Sequence, residues 1–233
     1  EGMNVVGYAY QYGEGTDQDY EAAIEWFQKA AAKGHANAAE SLGQLLHRGL
    51  GTEQDYDGAR EAYEQARKAG HERGDRRLGN LALDARRGSE DLAQAEKHLR
   101  ASLAALPTDM ITVIYLWTAL QLQGKAKEAR SMVRGARSKG PLKGLHGQLA
   151  LFMTHSTIRP ERFLPKVEKE KDETQRATLH CWIHFVAGVQ RLAKGKPVLA
   201  KPHFEECVKV GAIVDSLRHS AQAELKRLAP SEG

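Results

Sequence analysis

The sequence predicts an all-α fold in which antiparallel helix pairs stack into a continuous array, and three observations carry that prediction. Five columns recur at an interval of 36 residues: Gly7, Gly43 and Gly79; Asp19, Asp55 and Asp91; Ala23, Ala59 and Ala95; Phe27, Tyr63 and Leu99; Ala30, Ala66 and Ser102. A fixed period of this length marks a repeat architecture, in which each unit completes its apolar side against its neighbour. Within a period the small and aromatic positions follow at steps of three and four, which is helical spacing. Glycine-bearing turns close the segments, at Gly13-Glu14-Gly15-Thr16, Gly34-His35, Gly49-Leu50-Gly51-Thr52 and Gly70-His71, where a chain leaving a helix favours left-handed backbone.

The elements follow from these signals in order. Gly7 lies in a first helical pattern that ends at the turn 13–16. Asp19-Tyr20 then stands where an acidic side chain can hold the first turn of a second helix, Glu21 to Lys33. The next unit repeats this with Gly43, Asp55-Tyr56 and a helix from Asp57 to Ala69. The alanine columns let paired helices approach, and Phe27 and Tyr63 fill the space that remains. The third copy carries Ala85-Arg86-Arg87-Gly88 in place of the double-glycine turn, while its flanking register survives.

After Pro107 the spacing shortens. Ile111 to Gln123 and Lys127 to Arg137 form a compact pair, the second helix carrying Ala129, Val133 and Ala136. Leu142 to Thr154 and Pro160 to Asp172 are weaker helices, because Pro160 and Pro165 interrupt the pattern. The mixed-sign run Lys166 to Glu173 reads as a solvated helix face. Thr178 to Leu192 is helical, Gly195-Lys196-Pro197 turns the chain, and Ala200, Phe204 and Cys207 recur in the next helix. A final helix, about Ile213 to Leu228, caps the apolar end.

Composition sets outer bounds. The formal charge is +4, from 34 Lys plus Arg against 30 Asp plus Glu, with 41% hydrophobic residues and 6% aromatic. That balance suits ordered packing and gives no strong nucleic-acid signal; Arg73, Arg76, Arg77, Arg86 and Arg87 form a local basic patch diluted by acidic residues. No transmembrane segment is expected, since no apolar run approaches the ~20 residues needed to span a bilayer. The opening Glu1-Gly2-Met3 has neither a basic leader nor a cleavage site and reads either as an artificial remnant or as an internal boundary, which leaves export of the full gene product open. Cytoplasm and bacterial periplasm therefore both stand, and the oligomeric state is left open.

No catalytic residue, cofactor or metal site is assigned. Neither glycine-rich turn has the Lys-Ser/Thr ending of a phosphate loop, and no serine-centred elbow is present. His35 and His71 recur beside helix-ending glycines and read as turn features. His180 and His184, four apart, share a helix side, but Cys181 falls about 100° away and no carboxylate stands at the adjacent turn. Cys181 and Cys207 read as small packing residues, a bridge between them being the less favoured alternative. Trp117 and Trp182 read as packing between helices.

The first part of the chain resembles the Sel1-like repeat family, within the tetratricopeptide-like helical repeats. The matching text is Val6-Gly7 with Tyr10, Gly13-Glu14-Gly15-Thr16, Asp19-Tyr20, Ala23, Trp26-Phe27, Lys29-Ala30-Ala31 and Gly34. It returns as Leu42-Gly43, Gly49-Leu50-Gly51-Thr52, Asp55-Tyr56, Ala59, Tyr63, Ala66 and Gly70. On this reading residues 3–233 form a single helical-repeat domain. Sel1-like units occupy 3–106, tetratricopeptide-like units 107–141 and 177–210, a divergent unit 142–176, and a C-terminal capping helix 211–229.

The resemblance implies a right-handed α/α superhelix whose first helices line the concave face. By that carry-over the candidate partner-binding residues are Asn4, Tyr8 and Gln11; Glu40, Gln44, His47 and Arg48; Arg76 and Asn80; and Thr118 and Gln121. The family implies a non-catalytic scaffold or adaptor that binds a protein or peptide, in settings such as a bacterial envelope, secretion or signalling assembly. Three alternatives remain at this stage: an inhibitor or immunity-like protein covering an effector surface, a nucleic-acid-binding repeat, and an enzyme with residues assembled across repeats.

Overall fold

The computed structural model describes residues 2–86, 88–139, 149–150, 153–154, 159–209 and 215–229, and among them no strand is present. The chain forms two compact units, Glu1–Ala85 and Arg86–Gly233. The first holds α1 (Gly2–Tyr12), α2 (Tyr20–Ala31), α3 (Ala36–Arg48), α4 (Tyr56–Lys68) and α5 (Gly74–Asp84). The second holds α6 (Ser89–Ala105), α7 (Met110–Leu122), α8 (Ala126–Lys139), a 3₁₀ turn (Pro160–Arg162), α9 (Leu164–Val167), α10 (Glu173–Ala193), α11 (Pro197–Lys209) and α12 (Asp215–Leu228).

In the first unit the repeated columns do what their spacing requires. Asp19 caps α2, its Oδ1 accepting from the Ala22 amide at 3.0 Å. Asp55 caps α4, accepting from Asp57 and Gly58 at 3.1 and 2.9 Å. Each satisfies amides that have no partner inside the helix. Asp91 departs from the pattern. The helix that contains it starts at Ser89, so Asp91 lies inside the first turn and its carboxylate accepts from the Gly88 amide at 3.3 Å. The packing register is unaffected, since Ala95, Leu99 and Ser102 are as completely buried as Ala23, Phe27 and Ala30.

The glycine column is explained by close approach. A Cβ on Gly43 would lie 2.5 Å from two ring carbons of Tyr63, and one on Gly7 would lie 2.6 Å from the Phe27 ring. The ring of each second helix thus rests on the bare backbone of the first. The second unit reproduces the device at α10 and α11, where a Cβ on Gly188 would meet Phe204 at 2.7 Å. Gly51 serves a different need. Its φ of +75° is left-handed, and a Cβ there would come 2.6 Å from the backbone carbonyl carbon of Tyr20, so the second turn seats on the start of α2.

The second unit is organised around α7, whose residues from Met110 to Gln121 are nearly all buried. It packs against α6, α8 and α10. Trp117 is fully buried and its indole N–H donates to the Met153 carbonyl at 3.2 Å. Trp182, 5% exposed, also packs inside. Arg86, just before α6, forms a two-pronged ion pair with Glu224 of α12, at 2.6 and 2.8 Å. This paired fork ties the beginning of the unit to its last helix.

Several expectations are corrected. The predicted helix Pro160 to Asp172 reduces to the 3₁₀ turn and α9, because two prolines restrict the backbone within six residues. The run Lys166 to Glu173 is consequently not a continuous helical face. Most of the predicted helix Leu142 to Thr154 lies outside the described residues, as do residues 213 and 214 of the final helix. Cys181 and Cys207, expected as separate packing residues, are joined as a disulfide between α10 and α11.

Candidate functional site

The first helices of the pairs, α1, α3 and α5, carry the residues expected to form an open polar row. Tyr8 is half-buried and accepts a hydrogen bond from Ser41 Oγ at 3.0 Å. Its ring meets Phe27 edge-on at 5.2 Å and stacks with Tyr12 at 6.2 Å. Asn4 and Gln11 are half-buried beside it. The Asn4 Oδ1 makes no hydrogen bond among the described residues.

The row then turns inward. Glu40 is buried, its carboxylate accepting from Arg77 Nε at 2.6 Å and from Gln44 Nε2 at 2.5 Å. His47 is buried as well; its Nδ1 lies 3.5 Å from the Tyr63 hydroxyl and its Nε2 lies 3.3 Å from Asp84. Burial pushes the Tyr63 phenol well above its ordinary pKa, so it stays protonated. Asn80 donates to the same Asp84 carboxylate at 3.0 Å. Glu40, His47 and Asn80 therefore belong to a polar seam that joins α3 to α5, with His47 and Asn80 turned into it. The reason is desolvation: a charge removed from water between helices is stable only when paired, and Arg77 and Asp84 provide the partners. Gln44, Arg48 and Arg76 are half-buried at its border.

Thr118 and Gln121 belong to the second unit and are 1% and 6% exposed. Thr118 donates to the Ile114 carbonyl one turn earlier at 2.9 Å. They are interior positions of α7, which is surrounded on all sides, and they offer no accessible continuation of a binding face. The expected basic patch is also partly consumed, with Arg77 on Glu40 and Arg86 on Glu224; Arg87 lies outside the described residues.

Among the described residues, an accessible concavity lies at the N-terminal ends of α3 and α5. Two clefts of about 440 and 520 Å³ adjoin there. The first is lined by Asn4, Val5, His35, Ala36 and Asn37, the second by Tyr8, Ala36, Asn37, Glu40 and residues 70–73. Sharing Ala36 and Asn37, they form one groove. Of the expected residues, Asn4, Tyr8 and Glu40 reach it; Gln11, Gln44, His47, Arg48, Arg76 and Asn80 are not among its lining residues.

His35, Asn37, His71 and Glu72 also line the groove and are not among the expected binding residues, while Arg73, read as part of the basic patch, lines it too. The recurrence of His35 and His71 at the repeat period was the available signal. His71 Nδ1 accepts the Arg73 amide at 3.3 Å. Burial lowers its pKa, Glu40 opposes, and the Arg73 and Arg77 guanidiniums reinforce the lowering. The imidazole is neutral with its proton on Nε2, a donor at the groove wall. Arg73 and Glu72 are exposed, 3.7 Å apart, and loosely paired, a surface contact that costs little to exchange for another.

An all-α molecule built from helix pairs of this geometry is a helical-repeat protein. A family model described as the Sel1 repeat matches residues 1–35 and 36–71. The match is confined to residues 1–71, the first part of the N-terminal unit, which reads as two Sel1 repeats. No curated protein matches the chain. Among solved structures it is similar to a Sel1 repeat protein from Oxalobacter formigenes, with 18% identity and a TM-score of 0.50, over 99% of this chain and 85% of that one. It is also similar to c5321, a protective antigen present in uropathogenic Escherichia coli strains displaying an SLR fold, with 20% identity and a TM-score of 0.52. That match covers 89% of this chain and 45% of c5321, so the chain spans less than half of that protein's length. These likenesses show the fold, an all-α superhelical repeat. Sel1 repeat proteins generally act as protein–protein interaction scaffolds and are typically non-catalytic. Among the described residues, no helix is long and apolar enough to cross a membrane.

Proposed function

We propose that the chain is a non-catalytic adaptor whose N-terminal unit binds a peptide segment of a protein partner in the groove at the ends of α3 and α5. The observation that carries this reading is the continuity of the two clefts through Ala36 and Asn37, which makes a groove running from α1 across the start of α3 to the turn before α5. Its walls mix a tyrosine ring, two asparagine amides, a neutral imidazole and an exposed guanidinium. Such a set suits the carbonyls and carboxylates of a peptide more than the base edges or regular phosphates of a nucleic acid. Arg73 supplies the ionic contact by giving up its loose pair with Glu72, and Asn37 supplies amide contacts at the joint between the clefts. An assembly role in a bacterial envelope, secretion or signalling system fits this chemistry, and so does the covering of an effector surface.

The test is differential capture from the source organism's extract. The intact chain is compared with a variant carrying Asn37→Ala and Arg73→Ala, both at exposed positions where the fold is expected to persist. A partner held by the intact chain and lost by the variant, at equal circular dichroism and thermal midpoint, supports the groove. A partner held equally by both places binding elsewhere and refutes it.

A further inference from the structure

Helices α10 and α11 of the second unit are joined by a short, closed turn. Gly195 has a left-handed φ of +67°. Its amide donates to the Leu192 carbonyl and the Lys196 amide donates to the Arg191 carbonyl, both at 2.9 Å. These two bonds end α10 and fix the direction in which the chain leaves it. Pro197 then opens α11, where its missing amide costs nothing. Residues 193–199 are all exposed. Among them Val198 and Leu199 present 81% and 54% of their surface to solvent, whereas the next residue, Ala200, is fully buried.

The same stretch is cationic. From Gln190 to Phe204 the chain carries Arg191, Lys194, Lys196 and Lys201 and no carboxylate. Burial lowers the Lys194 pKa, and the charges of Arg191 and Lys196 add to the lowering, so these cations stand close enough to act on one another. The histidines of the helix pair add no charge at neutral pH. His184 Nδ1 lies 3.2 Å from His203 Nδ1, and the His180 and His184 ring centres are 4.7 Å apart. Burial lowers the pKa of all three rings, that of His184 to about 4. The carboxylates that act on these rings, Glu161, Glu168 and Glu206, lie outside the stretch, and Glu206 is held by Lys209.

Two adjacent aliphatic side chains inside a cationic rim suit one kind of surface. A second copy of the chain would bring the same four cations against each other. A helical partner reads apolar side chains that repeat at three and four residues, not two neighbours. An anionic bilayer needs no complementary shape: it takes aliphatic side chains into the boundary between headgroups and acyl chains while Lys and Arg stay with the phosphates. We propose that the tip formed by residues 191–201 docks on an anionic lipid surface, with Val198 and Leu199 entering the headgroup boundary and Arg191, Lys194, Lys196 and Lys201 meeting the lipid phosphates. The contact is shallow, because Pro202 has no amide to offer the Val198 carbonyl and hydrocarbon would deprive that carbonyl of water as well. This surface belongs to the second unit and does not depend on the groove of the first.

The test is co-sedimentation of the full chain with vesicles of equal parts phosphatidylglycerol and phosphatidylcholine, and with vesicles of phosphatidylcholine alone. Binding is expected to the anionic vesicles only, and it should weaken as salt is added. Each cation at an anionic leaflet strengthens binding about fivefold, so Lys196→Gln with Lys201→Gln should weaken it about tenfold or more. Val198→Ser with Leu199→Ser should weaken it about as much through the lost apolar contact. Val198→Trp should retain binding, and its emission should shift further to the blue with anionic vesicles than that of the intact chain. All these positions are exposed, and equal circular dichroism and thermal midpoints confirm that the variants fold. Absence of binding to anionic vesicles would overturn the proposal. So would undiminished binding by the double serine variant, since charge attraction alone would then account for it. Soluble polyglutamate bound as tightly as the vesicles would assign the tip to an acidic protein instead. Self-association that the double serine variant loses, without vesicle binding, would assign it to a second copy.

Discussion

Adding one methyl group at Gly43 should destabilise the first unit. The Cβ of Gly43→Ala would sit 2.5 Å from Tyr63 Cδ1 and Cε1, about 1 Å inside ordinary carbon contact. Tyr63 is 1% exposed and its hydroxyl lies beside His47, so the ring has little room to retreat. Overpacking of this kind costs about 1–3 kcal/mol. Alanine in a helix interior recovers about 1 kcal/mol over glycine, which leaves a net loss of up to about 2 kcal/mol. Gly135 in α8 is the matched control, because a Cβ there meets nothing within 4 Å, and Gly135→Ala should stabilise by several tenths to about 1 kcal/mol. Urea unfolding followed by far-ultraviolet circular dichroism measures both. Trimming the ring with Tyr63→Leu in the Gly43→Ala background should make the double variant less destabilised than the sum of the single changes, with a coupling of about 0.5–3 kcal/mol. Gly43→Ala stabilised as much as Gly135→Ala, or strict additivity with Tyr63→Leu, would refute the contact as the reason for the glycine.

Two further predictions concern the second unit. The Cys181–Cys207 bridge spans a sequence separation of 26, and removing it by Cys181→Ala with Cys207→Ala should lower stability by about 3 kcal/mol through the freedom returned to the unfolded chain. Thiol titration of the oxidised, denatured protein should find no reactive thiol, and two per chain would contradict the bridge. Stability should also fall with pH through the histidine cluster. His184 has its folded pKa depressed to about 4 from an ordinary value near 6.5, so between those values the unfolded chain binds a proton that the folded chain refuses. This contribution is complete above about pH 6.5 and is lost as pH falls toward about 4. The protein should show a lower urea midpoint at about pH 5 than at about pH 7, with a shallower dependence in His184→Gln; an unchanged or rising midpoint on acidification would count against the buried neutral cluster.

The groove shows where reading a sequence by column succeeds and where it fails. Gly7, Gly43, Phe27 and Tyr63 were legible because they meet within one helix pair, at a separation the repeat preserves. Asp19 and Asp55 were legible as caps because capping acts within three residues. Asp91 sat in the same column yet became a first-turn residue, since the changed turn before it let α6 start earlier. The candidate row turned inward at His47, which meets Asp84 of a different helix, and at Asn80, which donates to the same Asp84 one turn on, while Glu40 reaches the groove although it is paired with Arg77. Thr118 and Gln121 failed for a related reason, as nothing in α7 states that neighbours cover its polar positions too.

The sequence by itself determined the helical period, the pairing of helices in the first unit, the capping aspartates and the small-residue seams, because each rests on contacts within a few turns of chain or within one repeat. The tertiary structure decided which polar side chains are buried in ion pairs, where the groove opens, that Cys181 bonds Cys207, and that His203 joins His180 and His184. Those outcomes depend on distances between side chains of different helices, where a shift of one turn exchanges a buried partner for an exposed one.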